Sequence, residues 1–385
     1  MAGRDARTGL RVAAVQGRAE MARFLRLPWS IYAGDPCWVP PLLAERRGHL
    51  NPKANPFFQH ADVGLWLAWR DGRPVGRISA QINHLHLDRH GDATGHFGLL
   101  EAEDDPETFA ALFAAAEGFL RDGGMRRVVG PFSLSINDES GLLVDGADTP
   151  PSMLMGHAPA YYATRLSALG FVRAKDLLAY AYDLTAPMPA AAARFVDRLA
   201  DDPSVRFRGL RKASYAEDLA IVIDIFNDAW SANWGYVPFT KAEIAHFAEE
   251  LKPLVRTESL CLAEVDGEPV AMAICLPNLN EAIADLDGRL LPFGWAKLLW
   301  RLKVGPMRSA RVPLFGVRRR HHGSPMGAAL AYGVIDRLRR DHAALGFRQA
   351  ELSWVLEDNT AMRSMIEAVG GRAYKTYRLF EKALA

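Results

Sequence analysis

Three arginines and two histidines crowd a turn that carries two glycines: residues 317–330 read VRRRHHGSPMGAAL. An apolar strand closing on Phe315-Gly316 runs into this turn, and a helix opens near Met326. A strand–turn–helix of this kind presents backbone N–H groups at a helix N-terminus, where the helix dipole also favours negative charge. The chemistry on offer is the holding of a phosphate. Arg318, Arg319, Arg320, His321 and His322 add positive charge at the same place. Taken alone, a basic surface turn would look the same.

The chain contains its own control. Phe97-Gly98 closes an equivalent strand, and residues 99–109 then read LLEAEDDPETF. Glu101, Glu103, Asp104 and Asp105 replace the basic cluster, and the glycines are gone. Such a turn repels phosphate. A merely solvated surface gives no reason for this inversion.

The elements that must position these turns are written twice. Residues 65–83 read LWLAWRDGRPVGRISAQIN and residues 260–278 read LCLAEVDGEPVAMAICLPN, with eight of nineteen positions identical, so the two are read as copies. Each is an apolar run, an Asp-Gly turn and a second apolar run, which predicts a β-hairpin. Helical patterns follow at residues 110–121 and 328–339, then strands at 127–130 and 349–354, a helix and a closing strand. The predicted organisation is a first copy over residues 11–184, a joining segment with a helix at 185–204, and a second copy over 205–385. Strands alternating with helices, plus antiparallel hairpins, predict an α/β mixed sheet flanked by helices.

Composition narrows the partners. The 385 residues carry 46 basic and 45 acidic side chains, so net charge gives no reason to expect nucleic acid. Cys37, Cys261 and Cys275 have neither metal-ligand nor disulfide spacing, so no metal is expected. The N-terminus lacks an apolar signal-peptide core, and no apolar run approaches the roughly 20 residues that span a bilayer. The expected compartment is the cytoplasm.

These residues resemble the GNAT superfamily of CoA-dependent acyltransferases. The resemblance covers residues 205–385 and extends to the first copy as a degenerate GNAT-like domain. It matches His322-Gly323-Ser324-Pro325-Met326-Gly327 to the family's pyrophosphate turn. Pro325 has no N–H, so Gly323, Ser324, Met326, Gly327 and Ala328 are expected to form the cradle, with Arg318, Arg320 and His322 beside it. The family's fifth strand splays from its fourth, leaving a gap for pantetheine. A Glu-x-Asn element follows, matched here by Glu357 and Asn359, then a helix, Gly370-Gly371, Tyr374 and Tyr377. Asn359 also suits an N-cap.

The resemblance implies acyl-CoA as co-substrate and direct acyl transfer to an amine. Backbone at Phe315, Gly316 and Val317 is the family-matched place for the thioester carbonyl. Glu357 is the expected base, with His321 as an alternative, and Tyr377, then Tyr374, the expected acid.

For the acceptor, residues 227–240 read NDAWSANWGYVPFT. In GNAT folds this loop forms the acceptor rim, and Trp230, Trp234, Tyr236 and Phe239 would make it apolar. The first copy's Asn137 and Glu139 stand where the second has Glu357 and Asn359, and are expected to help hold the acceptor. Residues 290–307, LLPFGWAKLLWRLKVGPM, are an insertion of the second copy only. They suit the interfacial layer of a membrane, giving peripheral contact with the inner membrane, a lid over an apolar ligand, or packing on the domain itself.

The duplication, the altered first copy and the apolar rim resemble the bacterial ceramide synthase group of tandem GNAT proteins, which acylate a long-chain base. The acceptor implied is a lipid amine such as a sphingoid base. Three alternatives stay open: acetyl transfer to a small amine, a tandem-GNAT aminoacyltransferase, and a non-catalytic CoA or ligand binder.

Overall fold

The computed structural model describes residues 9–384. They group into two compact units. The first takes the described residues up to Asp176, with Leu286–Arg289 and the segment from Thr376; the second takes Leu177–Asp285 and Leu290–Lys375. Residues 185–204, expected as a joining segment, lie inside the second unit and include a helix at Ala190–Ala200.

The first unit holds β1 (Leu10–Ala14), β2 (Ala61–Arg70), β3 (Arg73–Asn83), β4 (Thr94–Ala102), β5 (Arg127–Gly130) and β6 (Leu142–Asp145). β1, β2, β3 and β4 run antiparallel in sequence, and β4 pairs with β5 in parallel. The chain then passes through β7 (Val172–Asp183) to β8 (Val205–Arg208), β9 (Leu260–Val265), β10 (Glu268–Pro277), β11 (Ser309–Val317), β12 (Gln349–Leu356) and β13 (Arg372–Ala383). β8 to β11 repeat the antiparallel series, and β11 pairs with β12 in parallel. The duplication read in the sequence is therefore a duplication of topology.

The closing strands are exchanged. From Leu177 on, β7 belongs to the second unit and pairs antiparallel with β12. From Thr376 on, β13 belongs to the first unit and pairs antiparallel with β5 and β6.

The hairpin turns explain the repeated Asp-Gly. Asp71 and Gly72 have φ of 52° and 78°, and Asp266 and Gly267 have 51° and 80°. Both central residues are left-handed, the conformation that a two-residue hairpin of matching twist demands and that Asp-Gly tolerates.

Each unit lays one long helix on its hairpin strands: Pro106–Asp122 in the first and Pro325–Ala344 in the second. In the first unit, the space between helix and sheet is filled by three rings. Phe97 and Phe113 lie 5.1 Å apart, Phe97 and Phe171 5.4 Å, and Phe113 and Phe171 4.9 Å, all nearly sealed from solvent.

Candidate active site

The basic turn folds as a short 3-10 segment, Arg319–His321, followed by Gly323 at φ +68° and the helix Pro325–Ala344. Ser324 is the N-cap. Its Oγ accepts from the Gly327 N–H at 3.0 Å and donates to the His321 carbonyl at 2.8 Å. Pro325 takes the first helical position, where a missing N–H costs nothing. Gly327 is obligatory: a Cβ there would lie 2.0 Å from the His321 carbonyl oxygen. Of the five expected cradle residues, Ser324 gives its N–H to the His321 carbonyl at 3.3 Å, and Gly327 and Ala328 give theirs to Ser324 at 3.0 Å and 3.1 Å.

The charges divide. Arg318 pairs with Asp224 at 2.6 Å and Arg320 with Glu268 at 2.7 Å. Neither lines the cavity described below, whereas Arg319, His321, His322, Gly323 and Ser324 do. The His322 ring meets the Val317 carbonyl at 2.7 Å. Burial first, and then the neighbouring Arg320, lower the pKa of His321 below its ordinary value. Of the three arginines in the basic turn, Arg319 reaches the cavity, while Arg318 and Arg320, expected beside the cradle, do not. Met326 is half-buried in the first turn and is not among the lining residues.

In the first unit the same helix end has an acidic cap. Asp105 caps Pro106–Asp122, accepting from the Thr108 N–H at 2.9 Å, and also pairs with Arg70 at 2.6 Å. The cap of the first unit's helix is thus a carboxylate, whereas Ser324, the cap in the second, is neutral.

β11 and β12 part as expected of the family. Their parallel register runs from Ser309 opposite Gln349 to Val312 opposite Leu352 and goes no further. Pro313 comes next on β11 and has no N–H for the ladder. On the other strand, the pairing of β12 with β7 shifts register between Leu352 and Val355. Both strands are therefore irregular at the same level, and a wedge opens between them.

A cavity of about 980 Å³ fills the wedge and runs under the helix Pro325–Ala344. Its walls include Phe315, Gly316 and Val317 from β11 and Leu352 to Leu356 from β12. It continues along the helix past Ala331, Ile335 and Leu338 to Tyr182 and Phe195. Ala328 to Leu338 covers about 15 Å of helix axis at 1.5 Å per residue. The walls are mostly apolar, and burial pushes the pKa of the Cys275 thiol there upward, so it stays a protonated, packing side chain.

Comparison of the copies explains the volume. Phe315 and Ala331 follow Phe97 and Phe113 by the same 218 positions. Phe171 corresponds to Gly371 in the shared Ala-Leu-Gly-Phe and Ala-Val-Gly-Gly segments. Two of the three rings that fill the first unit are thus alanine and glycine in the second.

The aromatic rim becomes a cluster. Phe226 packs on Trp230, Tyr236 and Phe239 at 4.8, 5.9 and 5.6 Å between ring centres. Trp230 also meets Trp354 of β12 at 5.6 Å and donates its indole N–H to the Phe315 carbonyl at 2.9 Å. Trp230 and Trp234 line the cavity. Tyr236 is buried, donates to Asn227 at 2.6 Å and is not among the lining residues.

The expected proton-transfer residues separate. Glu357 is half-buried just past β12, while its neighbours Asp358 and Asn359 line the cavity. Asn359 caps the helix Thr360–Ala368, accepting from the Met362 N–H at 3.1 Å. Tyr377 is fully buried in the first unit, opposite Leu143 of β6, and is not a lining residue. Tyr374 donates to Glu351, and burial together with that carboxylate raises its pKa. Glu351 accepts from Ser353, which accepts from Arg311 at 2.9 Å. Of this buried chain, Ser353 lines the cavity. A Glu-x-Ser pair on one face of an otherwise apolar strand was the available signal.

Asn137 and Glu139 belong to the first unit. The Asn137 N–H donates to Ser135 at 3.1 Å. Burial alone would raise the Glu139 pKa, but its ion pair with Arg46 prevails and lowers it.

No protein-family model matches the chain. Two whole-length relatives do. A protein of Caulobacter vibrioides named bacterial ceramide synthase is 49% identical over 377 residues, covering 97% of this chain and 98% of that one. Protein YghO of Escherichia coli is 46% identical over 368 residues, covering 95% and 93%. Among solved structures, a tandem GNAT protein from the clavulanic acid biosynthesis pathway superposes with a TM-score of 0.56 at 14% identity, covering 98% of this chain and 99% of that one. The shared fold, the splayed strands and the two whole-length relatives agree: the chain has the tandem-GNAT fold and belongs to the family that includes the Caulobacter vibrioides protein.

Proposed function

We propose that the chain transfers a long acyl group from acyl-CoA to the amino group of a lipid amine such as a sphingoid base. The observation that carries this reading is the apolar cavity of about 980 Å³ that joins the basic turn to the strand wedge. It sits at the upper end of the range of about 300–1,000 Å³ usual for ligand sites. An acetyl group needs none of the length beneath Ala331, Ile335 and Leu338. The name of the Caulobacter relative supports a lipid acceptor.

The residues fit acyl-CoA. Arg319, His321 and the turn at Gly323 and Ser324 suit its phosphates, and the wedge between β11 and β12 suits its extended arm. Bound acyl-CoA supplies the activated acyl group. The protein's part is to position it, exclude water and move protons. Trp230 fixes β11 beside the reacting carbonyl through Phe315. Glu357 and Asp358, side by side where β12 ends, are the carboxylates that receive the amine's proton. Tyr374, Glu351 and Ser353 form the polar route that serves the departing thiolate.

A thiol-release assay with sphinganine across acyl-CoA lengths tests this, with the amide identified by mass spectrometry. Turnover with palmitoyl-CoA well above acetyl-CoA is expected. Turnover of acetyl-CoA with small polar amines, and none with palmitoyl-CoA, overturns it.

A further inference from the structure

The insertion that distinguishes the second copy is displayed apolar side out. Among the described residues, Leu291, Phe293, Trp295, Leu299, Trp300 and Val304 are six of the eight large apolar side chains that stay exposed, from 49% at Leu299 to 79% at Leu291. Helices of soluble domains ordinarily do the reverse. Here the helix Gly294–Lys303 is held through its charged side. Lys297 donates to Asp285 at 2.5 Å, and Arg301 donates to the same carboxylate at 2.6 and 3.0 Å. Arg301 also reaches the Ala282 carbonyl at 2.7 Å, and Arg256 the Leu302 carbonyl at 2.7 Å. Leu302 alone of the helix is buried. Packing on the domain itself therefore does not account for the apolar residues.

We infer that this face docks on an anionic lipid bilayer. Charge complementarity selects that occupant. Residues 290–308 contain four basic and no acidic side chains, and including Asp285 still leaves an excess of three positive charges. Lys297 and Arg301 are held by Asp285, which leaves the exposed Lys303 and Arg308 to meet phosphate while the tryptophan rings bury in the headgroup layer. The helix is short, and no helix among the described residues is long and apolar enough to cross a membrane. It lies in the surface rather than spanning it. The inference does not depend on which acyl chain or amine is used.

Co-sedimentation with vesicles of phosphatidylcholine, with and without phosphatidylglycerol, tests it. The wild-type chain sediments with the phosphatidylglycerol vesicles, less so as salt rises. The triple variant Phe293→Ser, Trp295→Ser, Trp300→Ser binds them about tenfold or more weakly, since it removes the rings that would bury in the headgroup layer. These side chains are exposed, so circular dichroism and Tm stay unchanged. Activity on detergent-dispersed substrate also stays, separating this proposal from the proposed reaction. Three outcomes overturn it: equal sedimentation of the triple variant, no vesicle binding by the wild type, or light scattering showing a wild-type dimer that the triple variant dissociates.

Discussion

The indole N–H of Trp230 donates to the carbonyl of Phe315, and the same ring meets Trp354. One side chain thereby touches both strands of the wedge, β11 at its carbonyl and β12 through a ring edge. Trp230→Phe keeps a ring but leaves the Phe315 carbonyl without this donor. We expect a loss of about 0.5–1.5 kcal/mol in stability, the usual net contribution of one hydrogen bond. The turnover rate should fall more than the affinity for acyl-CoA. Denaturant titration and steady-state kinetics read the two effects separately.

Ala331 stands where the first unit has Phe113. Ala331→Phe should therefore refill the cavity with a ring the fold already tolerates once. Overpacking costs about 1–3 kcal/mol. Thiol release from palmitoyl-CoA should drop at least about tenfold, roughly 1.4 kcal/mol of lost binding, while shorter acyl-CoA is retained. Chain-length profiles of variant and wild type check this.

The arginines of the turn should be unequal. Arg319 lines the cavity, while Arg318 is held by Asp224 and by the Pro269 carbonyl at 2.9 Å. Hydrogen bonds to charged groups contribute about 1.5–3 kcal/mol. Arg319→Ala should weaken CoA binding about tenfold or more, and Arg318→Ala much less. Calorimetric titration with CoA separates them.

Glu101 gives a pH dependence. Burial, its largest influence, raises its pKa from 4.5 to about 7 against the lowering effect of Arg77 and hydrogen bonds from tyrosines. The unfolded chain then sheds this proton at lower pH than the folded one. The stability tied to the protonated form is complete below about pH 4.5 and is lost as pH rises through about 7. The slope approaches 1.4 kcal/mol per pH unit inside that window. Glu101→Gln should flatten the profile, which melting curves between pH 5 and 8 at about half-unit steps would show.

The duplication, the hairpins and the basic turn were legible because each has a local cause. Asp-Gly specifies a left-handed two-residue turn, and Phe-Gly followed by a capped helix marks the strand–turn–helix. The site was legible only to the resolution of a segment. Arg319 and Asp358 line the cavity where Arg318, Arg320 and Glu357 were expected, because which neighbour faces inward depends on backbone rotation at an irregular turn. Tyr377 was misplaced for a different reason. Its strand pairs in the first unit, and nothing in a linear pattern announces an exchange of partners. The inverted helix at Gly294–Lys303 had the right composition in the sequence, but the single Asp285 that turns it outward is a tertiary fact.

The traded closing strands act as an evolutionary ratchet. A duplicated gene ordinarily remains free to shed one of its copies. Here β7, encoded by the first copy, is a neighbour of β12 in the second unit's sheet, and β13, encoded by the second, completes the first. Deleting either half of the gene removes a strand from the sheet of the half that survives and bares its hydrogen-bonding edge. A self-sufficient single copy can no longer be recovered by truncation, so the two halves are inherited together.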